Sequence, residues 1–133
     1  MRSTMQDHPL TISAILRYAT TVHGDRTVTT ATGNGGYRQA TFAEVSGRAA
    51  RLANALRRLG VDGDERVATF MWNNQEHLEA YVAIPCMGAV LHTLNIRLFP
   101  EQIEFVAYEA EDRVVIVDSS LAGVLAPVIR TLE

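Results

Sequence analysis

A chain of 133 residues that is 47% hydrophobic and 20% charged carries enough apolar mass for one domain with its own core. Its net charge of −3 gives no basic footprint for nucleic acid and no polybasic segment for an anionic membrane surface. No apolar run approaches the roughly 20 residues that span a bilayer, and residues 1–9, MRSTMQDHP, lack the apolar core of a signal peptide, so the cytoplasm is the expected compartment.

Ile12, Ile15, Leu16, Ala19 and Val22 recur at three- and four-residue spacing after Thr11 and before Gly24, which predicts a first amphipathic helix. Two alternating runs, 27–32 and 37–42, bracket Gly33-Asn34-Gly35-Gly36 and predict a β-hairpin. Thr41 and Glu44 stand three apart before Val45, Ala49, Leu52, Ala53 and Leu56, the signature of a second helix with a capping box, and Gly60 closes it. Residues 66–72 form a run too apolar for a half-exposed strand and predict a parallel strand, centred on 67–71, buried on both faces.

Asn73 or Asn74 can cap a third helix with Leu78, Tyr81, Val82 and Ile84 as its stripe, kinked by Pro85. Residues 89–94 and 114–117 read as two more buried strands, with a helix opened by Pro100 between them and carrying Ile103, Val106, Ala107 and Ala110. Ser119 is the expected cap of a last helix, striped by Leu121, Val124, Leu125, Val128, Ile129 and Leu132 and bent at Pro127. The order implies an α/β fold: a three-stranded parallel sheet with crossover helices, plus the antiparallel hairpin.

Chemistry is sparse. All twelve basic side chains are arginine, so the chain has no lysine to serve as a phosphate-loop or Schiff-base residue. The glycines at 33–36 lie between strands rather than at a helix N-terminus and are read as a turn, not an anion cradle. His8, His23, His77 and His92 have no partners at metal-ligand spacing. His77 is expected to be partly exposed. His92 interrupts a strand near its C-terminal end, where ligand crevices form in open sheets, and is read as a satisfied structural histidine. Asp118 is read as a strand-end turn residue, Cys86 as packing, and Arg48, Arg51, Arg57 and Arg58 as a solvated face rather than an anion site. No catalytic, cofactor-binding or metal-binding residue is assigned.

The segments ATFAEVSGRAARLANALRRLGV, RVATFMWN and MGAVLHTLNIRLFPEQIEFVAYEAEDRVVIVD, preceded by the helix before HGDR and the hairpin, stand in the order of five blocks of the fatty acyl-CoA synthetases. The chain resembles the medium- and long-chain fatty acid ligases of the adenylate-forming superfamily. The resemblance implies that residues 1–133 form the first part of the large N-terminal domain, ending before the lysine-bearing phosphate loop. It further implies a parent enzyme that uses ATP, magnesium and coenzyme A to make an acyl-adenylate from a fatty acid and then a thioester, with none of these cofactors bound by the 133 residues alone. A homo-oligomer is implied, with Asp7 in the polar arm as an interface candidate. Two alternatives stand beside this reading: a self-contained α/β binding or dimerisation module, and a parent ligase for a non-fatty carboxylic acid. Relatives often carry Pro where this chain has Ile96, and a Ser or Thr cap where it has Phe99, a loss worth about 1 kcal/mol of helix stability unless Phe99 packs elsewhere.

Overall fold

In the computed structural model, Thr4 and residues 7–132 are described, with side-chain environments through Val128. The element order is α1 (Ile12–His23), β1 (Thr27–Ala31), β2 (Tyr37–Thr41), α2 (Phe42–Arg58), β3 (Arg66–Phe70), α3 (Gln75–Cys86), β4 (Val90–Thr93), α4 (Pro100–Glu109), β5 (Asp112–Val117), a 3-10 turn (Ser119–Leu121) and α5 (Ala122–Leu132). Most of the polar arm, residues 1–9, lies outside the described residues, as do the side chains of Ile129 and Leu132 expected on the last helical stripe.

Local chemistry accounts for the element ends. In the hairpin, Thr27 pairs with Thr41 and Ala31 with Tyr37, and the loop between closes with Gly33 and Gly35 at φ 78° and 83°. Asn34 Oδ1 accepts from the Gly36 N–H at 3.1 Å, a side-chain turn that fixes the loop. The capping box of α2 is complete: the Glu44 N–H donates to Thr41 Oγ1 at 3.2 Å, and the Thr41 N–H donates to Glu44 Oε2 at 2.7 Å. Gly60, at φ 85°, ends that helix in the left-handed conformation that favours glycine.

The parallel sheet has the order β4-β3-β5, with β3 in the centre. Alternation along β3 divides the core in two. Val67 joins Leu56, Ala80 and Ile84 beneath α2 and α3, while Ala68 and Phe70 join Ile103, Ala107, Leu121 and Leu125 beneath α4 and α5. Residues 67–70 are buried on both faces as expected, but the strand ends at Phe70, and Met71 and Trp72 beyond it are half-buried and exposed. The expectation that residues 89–94 and 114–117 are equally buried is not met. Val90 is 44% exposed and β5 is only half-buried, because both strands pair on one edge only.

Two further expectations are corrected. Of the apolar stripe expected on α3 only Ile84 is fully buried: Gln75, His77, Glu79, Ala80 and Ala83 share its buried face, whereas Leu78 and Val82 are half-buried and Tyr81 is exposed. Ala83 faces Ala49 and Ala53 of α2. Small residues there bring the helices together, and polar partners satisfy what they trap. Glu79 accepts from Arg48 Nε at 2.6 Å and from Gln75 Nε2 at 2.7 Å, while Arg38 on β2 donates to Glu76 at 2.6 Å, tying the hairpin to α3. The cap after β5 is Asp118 rather than Ser119: its Oδ1 accepts from the Ser120 N–H at 3.0 Å and opens the 3-10 turn that leads into α5.

Candidate functional site

Open parallel sheets bind ligands beyond the C-terminal ends of their strands, where successive connections leave for opposite faces. Here β3 runs into α3 on one face and β4 runs into α4 on the other. The chain therefore parts between the ends of β3 and β4. A crevice of about 350 Å³ opens there, lined by Trp72, Asn73, His77 and Tyr81 on one wall and Thr93, Asn95, Ile96 and Arg97 on the other.

The crevice walls are built from turn chemistry. Asn74 caps α3: its Oδ1 accepts from the His77 N–H at 2.9 Å, while its Nδ2 donates to Asp118 at 3.1 Å. The Trp72 indole Nε1 donates to Ser120 Oγ at 3.0 Å. These two bonds lace the loop after β3 to the loop after β5. On the far wall, Asn95 Oδ1 accepts from the Arg97 N–H at 3.0 Å and turns the chain out of β4. Arg97 is exposed, and no described residue pairs with its guanidinium, so a cation stands at the mouth of the crevice with its donors open.

Other hollows suit an anionic ligand less well. One of about 370 Å³ lies by the C-terminal end of α4, where Glu109, Glu111 and Asp112 give it an acidic lining. Another is bordered by Arg38, Arg48 and Arg51, but Arg38 and Arg48 are committed to Glu76 and Glu79. The α2 face read as solvated is thus partly an ion-pair surface.

His92 sits one residue before the end of β4 and faces the α4–α5 side, opposite Ala68. Its Nδ1 lies 2.8 and 3.0 Å from the Asp112 carboxylate oxygens. Burial pushes the Asp112 carboxyl up, and the hydrogen bond from His92 pulls it part of the way back. His92 is a paired structural residue, as read, and does not line the crevice. Cys86 lines an apolar hollow among α1, α2 and α3, where burial pushes its thiol up, in keeping with packing. Asp7 is exposed and stands apart from the crevice lining. Among the described residues no group of three or more His, Cys, Asp or Glu is placed to hold a metal ion.

His77 is the functional candidate that sequence reasoning placed wrongly. It is 7% exposed rather than partly exposed, because its ring turns inward to Thr69 on β3. A threonine inside an otherwise apolar central strand was the one signal that a polar partner had to face it.

A family model described as an AMP-binding enzyme matches residues 16–132. The chain belongs to the AMP-binding enzyme family. It is 44% identical over 119 residues to the long-chain-fatty-acid–CoA ligase of Thermus thermophilus, a match covering 90% of this chain and 22% of that protein. It is 36% identical to the 3-methylmercaptopropionyl-CoA ligase of Ruegeria pomeroyi, over all of this chain and 25% of that one. Among solved structures it superposes on an anthranilate CoA ligase in complex with anthranoyl-AMP with a TM-score of 0.80 and 27% identity, covering 96% of this chain and 24% of that one. The chain spans about a quarter of the length of the curated relatives it matches. Its relatives are acid–CoA ligases of both fatty and non-fatty kinds.

Proposed function

We propose that the chain forms the first part of the large N-terminal domain of a carboxylic acid–CoA ligase acting in the cytoplasm. Its whole enzyme joins an acid to ATP as an acyl-adenylate, releases pyrophosphate, and passes the acyl group to the thiol of coenzyme A. The observation that carries this reading is the 44% identity to the fatty acid ligase of Thermus thermophilus across nine-tenths of the chain. A fatty acid is the first choice of substrate. A shorter or substituted acid is the second, supported by the match of the whole chain to a 3-methylmercaptopropionyl-CoA ligase.

Within that enzyme these residues supply scaffold and the two facing walls of the crevice. An exposed Arg97 that no described residue pairs, facing Trp72 and Tyr81 across the crevice, suits a phosphorylated ligand with a planar base, since guanidinium forks match phosphate and rings stack on bases. Among the described residues no cluster of ligands is placed to hold the magnesium implied by the resemblance. The test is acid-dependent pyrophosphate release by a full-length ligase carrying this segment, supplied with ATP, magnesium, coenzyme A and acids from 3-methylmercaptopropionate to long-chain fatty acids. Release that follows one class of acid assigns the substrate. The absence of acid-dependent release with every one would refute the ligase reading.

A non-catalytic association role is favoured by one feature. Ile12, Ile15, Tyr18 and Val22 on α1 are 41–65% exposed, an apolar stripe without cover. We propose self-association through this end of the molecule, with Asp7 just before it as an interface candidate.

A further inference from the structure

The His77 ring bridges the floor of the crevice and its wall. Nδ1 lies 3.2 Å from the Trp72 carbonyl oxygen, which can only accept, so Nδ1 carries a proton. Nε2 lies 2.9 Å from Thr69 Oγ1, on a side chain with no exposure. With one ring proton committed to Trp72, Nε2 accepts from the Thr69 hydroxyl. The Trp72 carbonyl also accepts from the Asn74 N–H at 2.9 Å, so two bonds of the turn from β3 into α3 converge on this oxygen. The ring packs against Tyr81 on the same wall, with ring centroids 4.9 Å apart.

We propose that His77 is a positioning residue of the crevice: its neutral ring, with the proton on Nδ1, holds the turn carrying Trp72 against β3, and a second proton on Nε2 releases that turn. The chemistry is a conflict of donors. Once Nε2 is protonated it becomes a donor to Thr69 Oγ1, so the threonine proton must find another acceptor on a side chain with no exposure, and a charge falls on a ring that is itself buried. The charged or titratable groups around it offer no rescue. Tyr81 lies on its own helix, Arg97 on the opposite wall is a cation, and Asp118 from the turn after β5 is committed to Ser120 and Asn74. Burial accordingly pushes the His77 ring below the ordinary histidine range. The ring can recover hydration by swinging into the crevice, which frees the Trp72 carbonyl and loosens the indole from Ser120.

Trp72 is the only tryptophan, so one indole N–H resonance reports on the turn without interference. The test is nitrogen-15 NMR of the 133-residue chain from neutral pH into mild acid, with far-UV circular dichroism on the same samples. At neutral pH the His77 ring should show a protonated Nδ1 and a bare Nε2. As that ring titrates, the indole proton should lose about tenfold of its protection against exchange, corrected for the intrinsic pH dependence, equivalent to one net hydrogen bond, while helix content holds. In His77→Gln the protection should no longer change over that range. A proton on Nε2 at neutral pH, a ring titration that leaves indole protection intact, or a loss that persists in His77→Gln would each overturn the proposal. If His77→Gln does not fold, the two measurements on the unaltered chain still decide it. Because no ligand is needed, failure here would leave the ligase reading untouched.

Discussion

Thr69 and His77 satisfy each other inside the fold, and no described buried side-chain nitrogen or oxygen is left without a partner. Thr69→Val keeps the shape and removes the donor, so it should cost about 1–3 kcal/mol, measured by urea unfolding at neutral pH. An unchanged midpoint would mean the hydrogen bond contributes nothing. The pH dependence has a definite sign. The folded chain protonates His77 less readily than the unfolded chain, so its contribution is fully present above the unfolded histidine value and is lost as pH falls through that value toward the lower folded one. Urea midpoints taken between about pH 8 and 5 should therefore drop toward acid, and His77→Gln should flatten that part of the curve. Glu76, held down mainly by its hydrogen bond from Arg38, contributes in the same sense over the carboxylate range, at lower pH.

Helix ends test the elements separately. Removing the Thr41 hydroxyl in Thr41→Ala should cost about 1 kcal/mol, because it breaks a capping box with both bonds in place. At α4 the situation is reversed. Phe99 is 72% exposed and makes no side-chain cap bond, while Gln102 accepts from its N–H at 3.1 Å. Phe99→Ser should complete that box and raise stability by about 1 kcal/mol, and an unfolding midpoint that falls instead would show that Phe99 packs in a way its exposure hides.

These ends were legible in the sequence because caps and glycine turns act within a few residues of themselves, as at Thr41, Asn74 and Gly60. Burial was less legible because it depends on distant partners. Residues 89–94 and 114–117 are apolar enough for a central strand, but the order β4-β3-β5 leaves each with one open edge. The polar face of α3 turned inward because Arg48 and Thr69, 31 and 8 residues away from their partners, were there to meet Glu79 and His77. The crevice was foreshadowed only in general form, by strands alternating with helices. Its wall at Trp72 depends on contacts with Ser120, 48 residues on.

At the scale of the molecule, two open sheet edges and the bare stripe of α1 leave surfaces that ordinarily find partners. Sedimentation equilibrium of the 133-residue chain should show concentration-dependent association, and a monodisperse monomer at tens of micromolar would show that these surfaces are tolerated alone. We propose that this chain builds the scaffold and a crevice of an acid–CoA ligase while catalysis at the phosphates needs a lysine that it does not supply, since all twelve of its basic side chains are arginine. Pyrophosphate release by the 133-residue chain, first shown to be folded by circular dichroism and then given ATP, magnesium, coenzyme A and fatty acids of several lengths, tests that claim most directly. The account predicts release no faster than a heat-killed control. Sustained acid-dependent release would contradict it.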